Sequence, residues 1–174
     1  MEENNKHTWK DLPLFLKAKE INALAHRLME LIEEDLQAGK EDETKEIALF
    51  MVKEIVSNAF LIPGKIAGAE SVEWYNLKME NATIIKIAAE KVLTNSAGLM
   101  QLTESYEDYI HTLRGEIEEF RVLFAEWVKA FDPTVYSIDR WGVFNPPGVN
   151  YDDYDPDDFE RDPDDFDDID PDEF

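Results

Sequence analysis

The stretch IALFMVKEIVSNAFLIPGKIAGAE, residues 47–70, decides the fold of this chain. Twelve of the sixteen residues from Ile47 to Ile62 are apolar or alanine, and the four exceptions form one narrow polar stripe at 100° per residue. A helix with this pattern is apolar on nearly every side. The stretch therefore predicts a central helix of an all-α fold.

Pro63 follows this apolar run directly, with Gly64 next to it. A proline inside a helix removes one backbone donor and crowds the carbonyl four residues back. We therefore expect a kink at Pro63 and Gly64, after which the helix continues into Ile66 and Ala67. The alternative is a plain buried helix that ends at Ile62, because the residue before a proline disfavours helical backbone.

Three further helices are predicted from apolar residues at helical spacing. One runs from Pro13 to about Leu36, one begins with Ser71 as its N-cap, and one opens at Thr103 and is stopped by Pro133. The last helix carries two apolar columns with a spacing of seven: Tyr106, Leu113, Phe120 and Trp127, and Ile110, Ile117, Phe124 and Phe131. Four long helices with short connections predict an antiparallel four-helix bundle over residues 13–132, after a mobile N-terminus at residues 1–12.

The charge of the chain is strongly negative and unevenly distributed. It has 17 basic and 40 acidic residues, a net charge of −23, and fourteen of the acids lie in residues 150–174 with a single arginine. The remaining residues are acidic as well. Such a surface repels phosphate backbones, so direct binding of nucleic acid would need a local basic patch.

Composition also bears on the compartment. The chain has no cysteine, which excludes a disulfide, a thiolate nucleophile and a zinc ribbon and is compatible with a reducing compartment. Its first residues lack the basic start and apolar run of a signal peptide, and no run reaches about 18 apolar residues. We expect a soluble, cytoplasmic protein without a membrane span.

Sequence motifs give little support to catalysis. The chain has no Glu-x-x-His motif for a di-metal bundle site, no glycine-rich phosphate loop and no nucleophile elbow. Two acidic clusters resemble the halves of a magnesium site, but both are also typical of a solvated helix face: Glu30, Glu33 and Glu34, and Glu116, Glu118 and Glu119. We predict a protein that is not an enzyme and has no catalytic residue, metal or cofactor, with a magnesium-dependent nucleotide hydrolase as the remaining alternative.

The C-terminal part divides into two segments. Residues 133–149 are rich in aromatic and apolar side chains that are expected to pack back on the bundle: Tyr136, Ile138, Trp141, Val143 and Phe144. Residues 150–174 form an acidic tail with the repeats DPDDF at 155–159 and 162–166 and DPDEF at 170–174. Proline and charge repulsion oppose helix formation, so the sequence predicts a disordered tail.

Two sets of residues are predicted to bind other chains. In the tail, Phe159, Phe166 and Phe174 alternate with acids, which is typical of docking on a partner with a basic, apolar-pocketed surface, although a purely solubilising tail is the alternative. Asp168 belongs to the last nine residues, which resemble the acidic tip of bacterial single-stranded-DNA-binding proteins. In the central helix, the predicted interface for self-association consists of Phe50, Val56 and Phe60.

The segment LIPGKIAGAE, residues 61–70, resembles the S-I-P-x-N-I-A-E-G segment of a bacterial four-helix-bundle family. That family includes the proteins encoded in 23S rRNA intervening sequences and the accessory variability determinants of diversity-generating retroelements. Lys65 stands where the family usually has Asn, and Gly68-Ala69-Glu70 replaces its Glu-Gly. The resemblance implies a homo-oligomer, with a ring-shaped pentamer as the family's usual form, and an association with nucleic acid.

Together these features predict a non-catalytic oligomeric adaptor that acts in nucleic-acid transactions and docks protein partners through its tail. The alternative is an accessory protein that binds nucleic acid directly, with the tail as an autoinhibitory phosphate mimic.

Overall fold

The computed structural model of the protein describes residues 8–39 and 43–154. Within these residues the chain forms helices and irregular segments, without a β-strand. A short 3-10 helix at Trp9–Asp11 precedes four long helices, which are α1 Pro13–Ala38, α2 Glu43–Glu70, α3 Tyr75–Leu102 and α4 Glu107–Lys129. The predicted all-α fold is confirmed.

The helices form an antiparallel four-helix bundle in which α1 packs on α2 and α4, and α3 packs on α2 and α4. Side-chain contacts fix the directions of the helices. Tyr106 at the start of α4 bonds Asp35 near the end of α1, and Gly68 near the end of α2 lies close to Asn81 near the start of α3. The helices α2 and α4 are diagonal and therefore parallel to each other.

The core is built from one stripe of each helix, as the apolar spacing predicts. In α4 the two columns with a spacing of seven turn inward, so that Ile110, Leu113, Ile117 and Phe120 are buried. In α3 small residues widen the stripe, and Gly98 leaves room for the methyl group of Met51, which lies 3.2 Å from the point that a Cβ on this glycine would occupy. A larger residue at this position would require the end of the Met51 side chain to shift by a few tenths of an ångström.

Pro63 lies inside α2, which runs unbroken from Glu43 to Glu70. The predicted continuation of the helix is confirmed, and the alternative of an end at Ile62 is wrong. Because Pro63 has no N–H, the carbonyl of Ala59 loses its helical partner. Burial of Ile66 and Ala69 beyond the proline compensates for that loss, since both side chains complete the core.

Two predicted helix starts are wrong. Ser71 does not cap α3; its hydroxyl donates to the Gly68 carbonyl at 2.7 Å and so closes the end of α2, while Trp74 is the residue before α3. Likewise α4 begins at Glu107 rather than near Thr103, whose hydroxyl accepts a bond from the Ser105 amide in the preceding turn. In both places a serine or threonine forms a local turn, which competes with capping.

Residues 131–154 return to the start of α3. The Tyr75 amide donates to the Val135 carbonyl at 2.7 Å, and buried Asn76 accepts bonds from the amide and hydroxyl of Ser137. Ile138 is buried, as predicted. The expectation that Trp141 and Val143 also pack on the bundle is wrong, because both side chains are exposed.

Candidate interaction surfaces

The outer side of α2 exposes large apolar side chains. Phe50 and Phe60 are 66% and 69% exposed, and Ile47 and Leu61 are 41% and 39% exposed. We call these four residues the α2 face. Solvent-exposed phenylalanine rings on one helix are typical of a contact with another chain, because their burial stabilises association.

The three residues of the predicted self-association interface differ in their exposure to solvent. Phe50 and Phe60 lie on the α2 face, whereas Val56 is half-buried against the core. Ile47 is exposed, and the next residue, Ala48, is buried in the core. Of the predicted kink residues, Gly64 is exposed with open space around it.

A groove between α3 and α4 is the second candidate surface. It has a volume of about 290 Å³, and buried Ile117 and Phe120 form its floor. We call this site the α3–α4 groove, and these residues line it: Lys86, Ala89, Glu90, Leu93, Ile117, Phe120, Arg121, Phe124, Ala125 and Val128. The sequence did not predict the groove. Its lining residues come from two helices, and the sequence does not show how far apart those helices lie.

Basic side chains stand on both walls of this groove. Lys86 on α3 lies 3.5 Å from Glu90, and Arg121 on α4 lies 2.9 Å from Glu118; all four side chains are more than half exposed. Beyond the groove, Arg114 donates to the Leu93 carbonyl at 2.7 Å. The positive charges on the walls are therefore held by exposed ion pairs, which contribute little stability and exchange partners readily.

The third surface is a loop, residues 139–145, that presents a tryptophan. Asp139 accepts hydrogen bonds of 2.9 Å from the amides of Trp141, Val143 and Phe144. Asn145 closes the loop, since its side chain accepts from the Asp139 amide and donates to the Asp139 carbonyl. The amide of Phe144, followed by those of Trp141 and Val143, lowers the pKa of the Asp139 carboxyl.

The side chain of Trp141 is 92% exposed at the tip of this loop. The next residue, Gly142, has a φ of +70°, a conformation that other residues rarely adopt. A network of bonds thus holds an apolar side chain in water, and a tryptophan in that position is a typical anchor for a partner.

The acidic residues of α4 are paired rather than gathered into a metal site. Lys17 of α1 bonds Glu119 at 2.8 Å and also contacts Glu116, and these two carboxylates together with Glu20 raise the pKa of Lys17. Arg27 pairs with Glu30 on the other cluster. Residues 8–39 and 43–154 contain no group of three acidic or histidine side chains suited to a metal ion.

Helix α2 is long and apolar enough to cross a membrane when only length and composition are considered. The core helix of a soluble protein meets the same criterion, and α2 packs between α1 and α3 with eight buried side chains. This arrangement is compatible with a soluble protein.

Comparison of the chain with protein-family models, with curated proteins and with solved structures found no match. The resemblance of residues 61–70 to the intervening-sequence family thus stays a prediction. So do the tail residues predicted to bind a partner, Phe159, Phe166, Asp168 and Phe174, because they lie outside the described residues.

Proposed function

We propose that this protein is a cytoplasmic, non-catalytic oligomeric adaptor that acts in nucleic-acid transactions and holds protein partners. The observation that carries the proposal is the α2 face, where Phe50 and Phe60 stand in water on the helix that also forms the core. Full burial of one such ring stabilises association by roughly 1.5–3 kcal/mol. A second copy of the chain would supply an equivalent apolar face.

The adaptor role is supported by the Trp141 loop and by the composition of the tail. Trp141 leaves the bundle on the same C-terminal segment that leads into the acidic repeats, so both can contact one partner. The acidic charge of the protein favours a basic protein over a phosphate backbone. Nucleic acid then enters through the partner rather than by direct contact.

Light scattering at micromolar concentration tests self-association. We expect an oligomer for the wild type and a smaller species for Phe50→Ser/Phe60→Ser, with unchanged helix content by circular dichroism. Trp141→Ser is the matched control, because it removes an exposed aromatic side chain outside α2 and should leave the oligomer intact. A wild-type monomer would contradict the proposal.

The adaptor role needs a separate test. Partner capture should be compared between the full chain and a chain ending at Tyr154, with purified candidates that are basic proteins. Loss of capture on truncation supports docking by the tail. Truncated protein that instead acquires binding to DNA or RNA would favour the alternative, in which the tail competes with nucleic acid for the bundle.

A further inference from the structure

We infer that the α3–α4 groove binds the segment Asp164-Asp165-Phe166-Asp167-Asp168 of the same chain. This goes beyond the proposed function, because it assigns a receptor for the tail on the bundle itself. It depends on the groove and not on the existence of a partner. Three properties of the molecule support it: the apolar floor of the groove, the charges on its walls and the reach of the tail.

The floor suits an aromatic ring. Ile117 and Phe120 lie at the bottom of the groove with exposed fractions of 2%, and Leu93 and Phe124 form half-buried walls. The volume of about 290 Å³ is close to the lower end of the roughly 300–1,000 Å³ of small-molecule pockets. A phenylalanine entering this groove exchanges water for apolar contacts on both sides of the ring.

The charges suit a ring with acids on both sides. Lys86 and Arg121 stand on opposite walls, each paired with an exposed glutamate, and Phe166 has two aspartates before it and two after it. With the ring in the groove, these aspartates would compete with Glu90 and Glu118 for the two cations, whose exposed ion pairs contribute little stability. The other DPDDF repeat is less suitable, because Arg161 follows Phe159 at a distance of two residues.

The tail begins close enough to reach the groove. Asp139, Trp141, Val143 and Phe144 line a shallow pocket together with Glu80 of α3. Arg140 donates to the carbonyls of Tyr151 and Asp153. Lys86 lies six residues beyond Glu80 on α3, which is about 9 Å along the helix axis. Phe166 follows Tyr154 by twelve residues, and an extended chain of that length spans up to about 40 Å.

Tethering makes this contact favourable even if its intrinsic affinity is low. A tethered segment has an effective concentration on the order of millimolar, and a partner competes with it through its own concentration and affinity. The groove would thus shield Phe166 until a partner with a better pocket arrives. It would also cover apolar surface that the bundle leaves open.

Disulfide trapping in the full chain tests the inference, because the wild-type sequence has no cysteine. Ala125→Cys places a thiol at the groove, and Ile169→Cys places one just after the five-residue segment without changing it. The matched control pairs Ile169→Cys with Ala23→Cys, an exposed alanine on α1. We call Ala125→Cys/Ile169→Cys the groove pair and Ala23→Cys/Ile169→Cys the control pair. At low protein concentration in a glutathione buffer, we expect the groove pair to form a disulfide within one chain at least about tenfold faster than the control pair.

Single substitutions then identify the ring. Phe166→Ala in the groove pair should reduce the closure rate to that of the control, whereas Phe159→Ala should leave it nearly unchanged. Raising the salt concentration should slow closure, because the charge contribution is screened. The inference is overturned by equal rates for the two pairs, by equal effects of the two phenylalanine substitutions, or by covalent dimers in place of closed monomers.

Discussion

The indole Nε1 of Trp127 donates a 2.7 Å hydrogen bond to the Glu70 carboxylate and so joins the ends of the diagonal helices α2 and α4. Trp127 also belongs to a continuous row of ring contacts. The ring centroids lie 6.0 Å apart for Phe120 and Phe124, 5.9 Å for Phe124 and Trp127, and 4.7 Å for Trp127 and Phe131. One end of the bundle is therefore fixed by aromatic packing and by a partly buried bond to a charged acceptor.

Trp127→Phe should lower the free energy of unfolding by about 1.5–3 kcal/mol, because it removes a hydrogen bond to a charged group and leaves the carboxylate unpaired. Glu70→Gln is the control, since a glutamine oxygen can still accept from the indole, and it should cost less. Urea unfolding monitored by circular dichroism measures both. A larger loss for Glu70→Gln than for Trp127→Phe would contradict the assignment of the stabilisation to this hydrogen bond.

Truncation in the core should be costly. Leu113→Ala and Phe120→Ala each leave a cavity at a side chain that is 1–2% exposed, so each should lower the free energy of unfolding by about 2–5 kcal/mol. Glu118→Ala on the same helix should cost little, because its partner Arg121 is also exposed. Denaturant midpoints that ranked the other way would contradict the assigned register of α4.

Stability should depend on Tyr106 at alkaline pH. Burial and its 2.6 Å hydrogen bond to Asp35 raise the pKa of Tyr106 from 10.0 to about 12. The neutral phenol is favoured in the folded state, so this stabilisation is complete below pH 10 and is lost as the pH rises toward 12. At neutral pH Tyr106→Phe should cost about 0.5–1.5 kcal/mol. The difference in the free energy of unfolding between Tyr106→Phe and the wild type should be smaller at pH 11 than at pH 8.

The Trp141 loop should open when Asp139 loses its charge. The three amide donors lower the pKa of this carboxyl below its usual 3.8, so the loop is stabilised above that value and the effect is lost as the pH falls through the lowered pKa. Asp139→Ala at neutral pH removes all three bonds. Because each contributes about 0.5–1.5 kcal/mol, amide hydrogen exchange at Trp141, Val143 and Phe144 should become at least about tenfold faster. Exchange at buried Leu113 serves as the control.

Tail binding to a partner should depend on the rings as well as on the charge. Replacing Phe159, Phe166 and Phe174 by alanine keeps every acid, yet each ring that enters a pocket contributes roughly 1.5–3 kcal/mol when fully buried. We expect partner capture to weaken and the remaining capture to be lost at a lower salt concentration, because only the contribution of the charges is left. Unchanged capture with the same salt dependence would show that the tail acts through charge alone.

Periodicity predicted the interior of the bundle well. The columns of α4 and the passage of α2 through Pro63 follow from apolar spacing, because burial of one face dominates over local backbone preferences. Helix ends were predicted poorly. Ser71 has the right residue type for an N-cap, but its hydroxyl satisfies a carbonyl of the preceding helix, and only the three-dimensional path of the turn decides between these roles.

The candidate surfaces were predicted unevenly for a related reason. Exposure of Phe50 and Phe60 was expected from an excess of apolar residues on α2. The exposure of Trp141 was not expected, because tryptophan is usually buried in a core. The loop that Asp139 holds through backbone amides presents its side chain to solvent. The α3–α4 groove depends on the distance between two helices. The spacing of apolar residues along either helix does not determine that distance.

The order of the helices around the bundle also bears on how the chain folds. Among the four long helices, the contacts of α1 with α2, of α2 with α3 and of α3 with α4 each form between consecutive helices, whereas those of α1 with α4 join helices that are far apart in the sequence. A topology of this kind has a low relative contact order, and helical proteins of that class fold in microseconds to milliseconds. Docking of α4 against α1 closes the longest loop, which makes this step the expected barrier of the reaction.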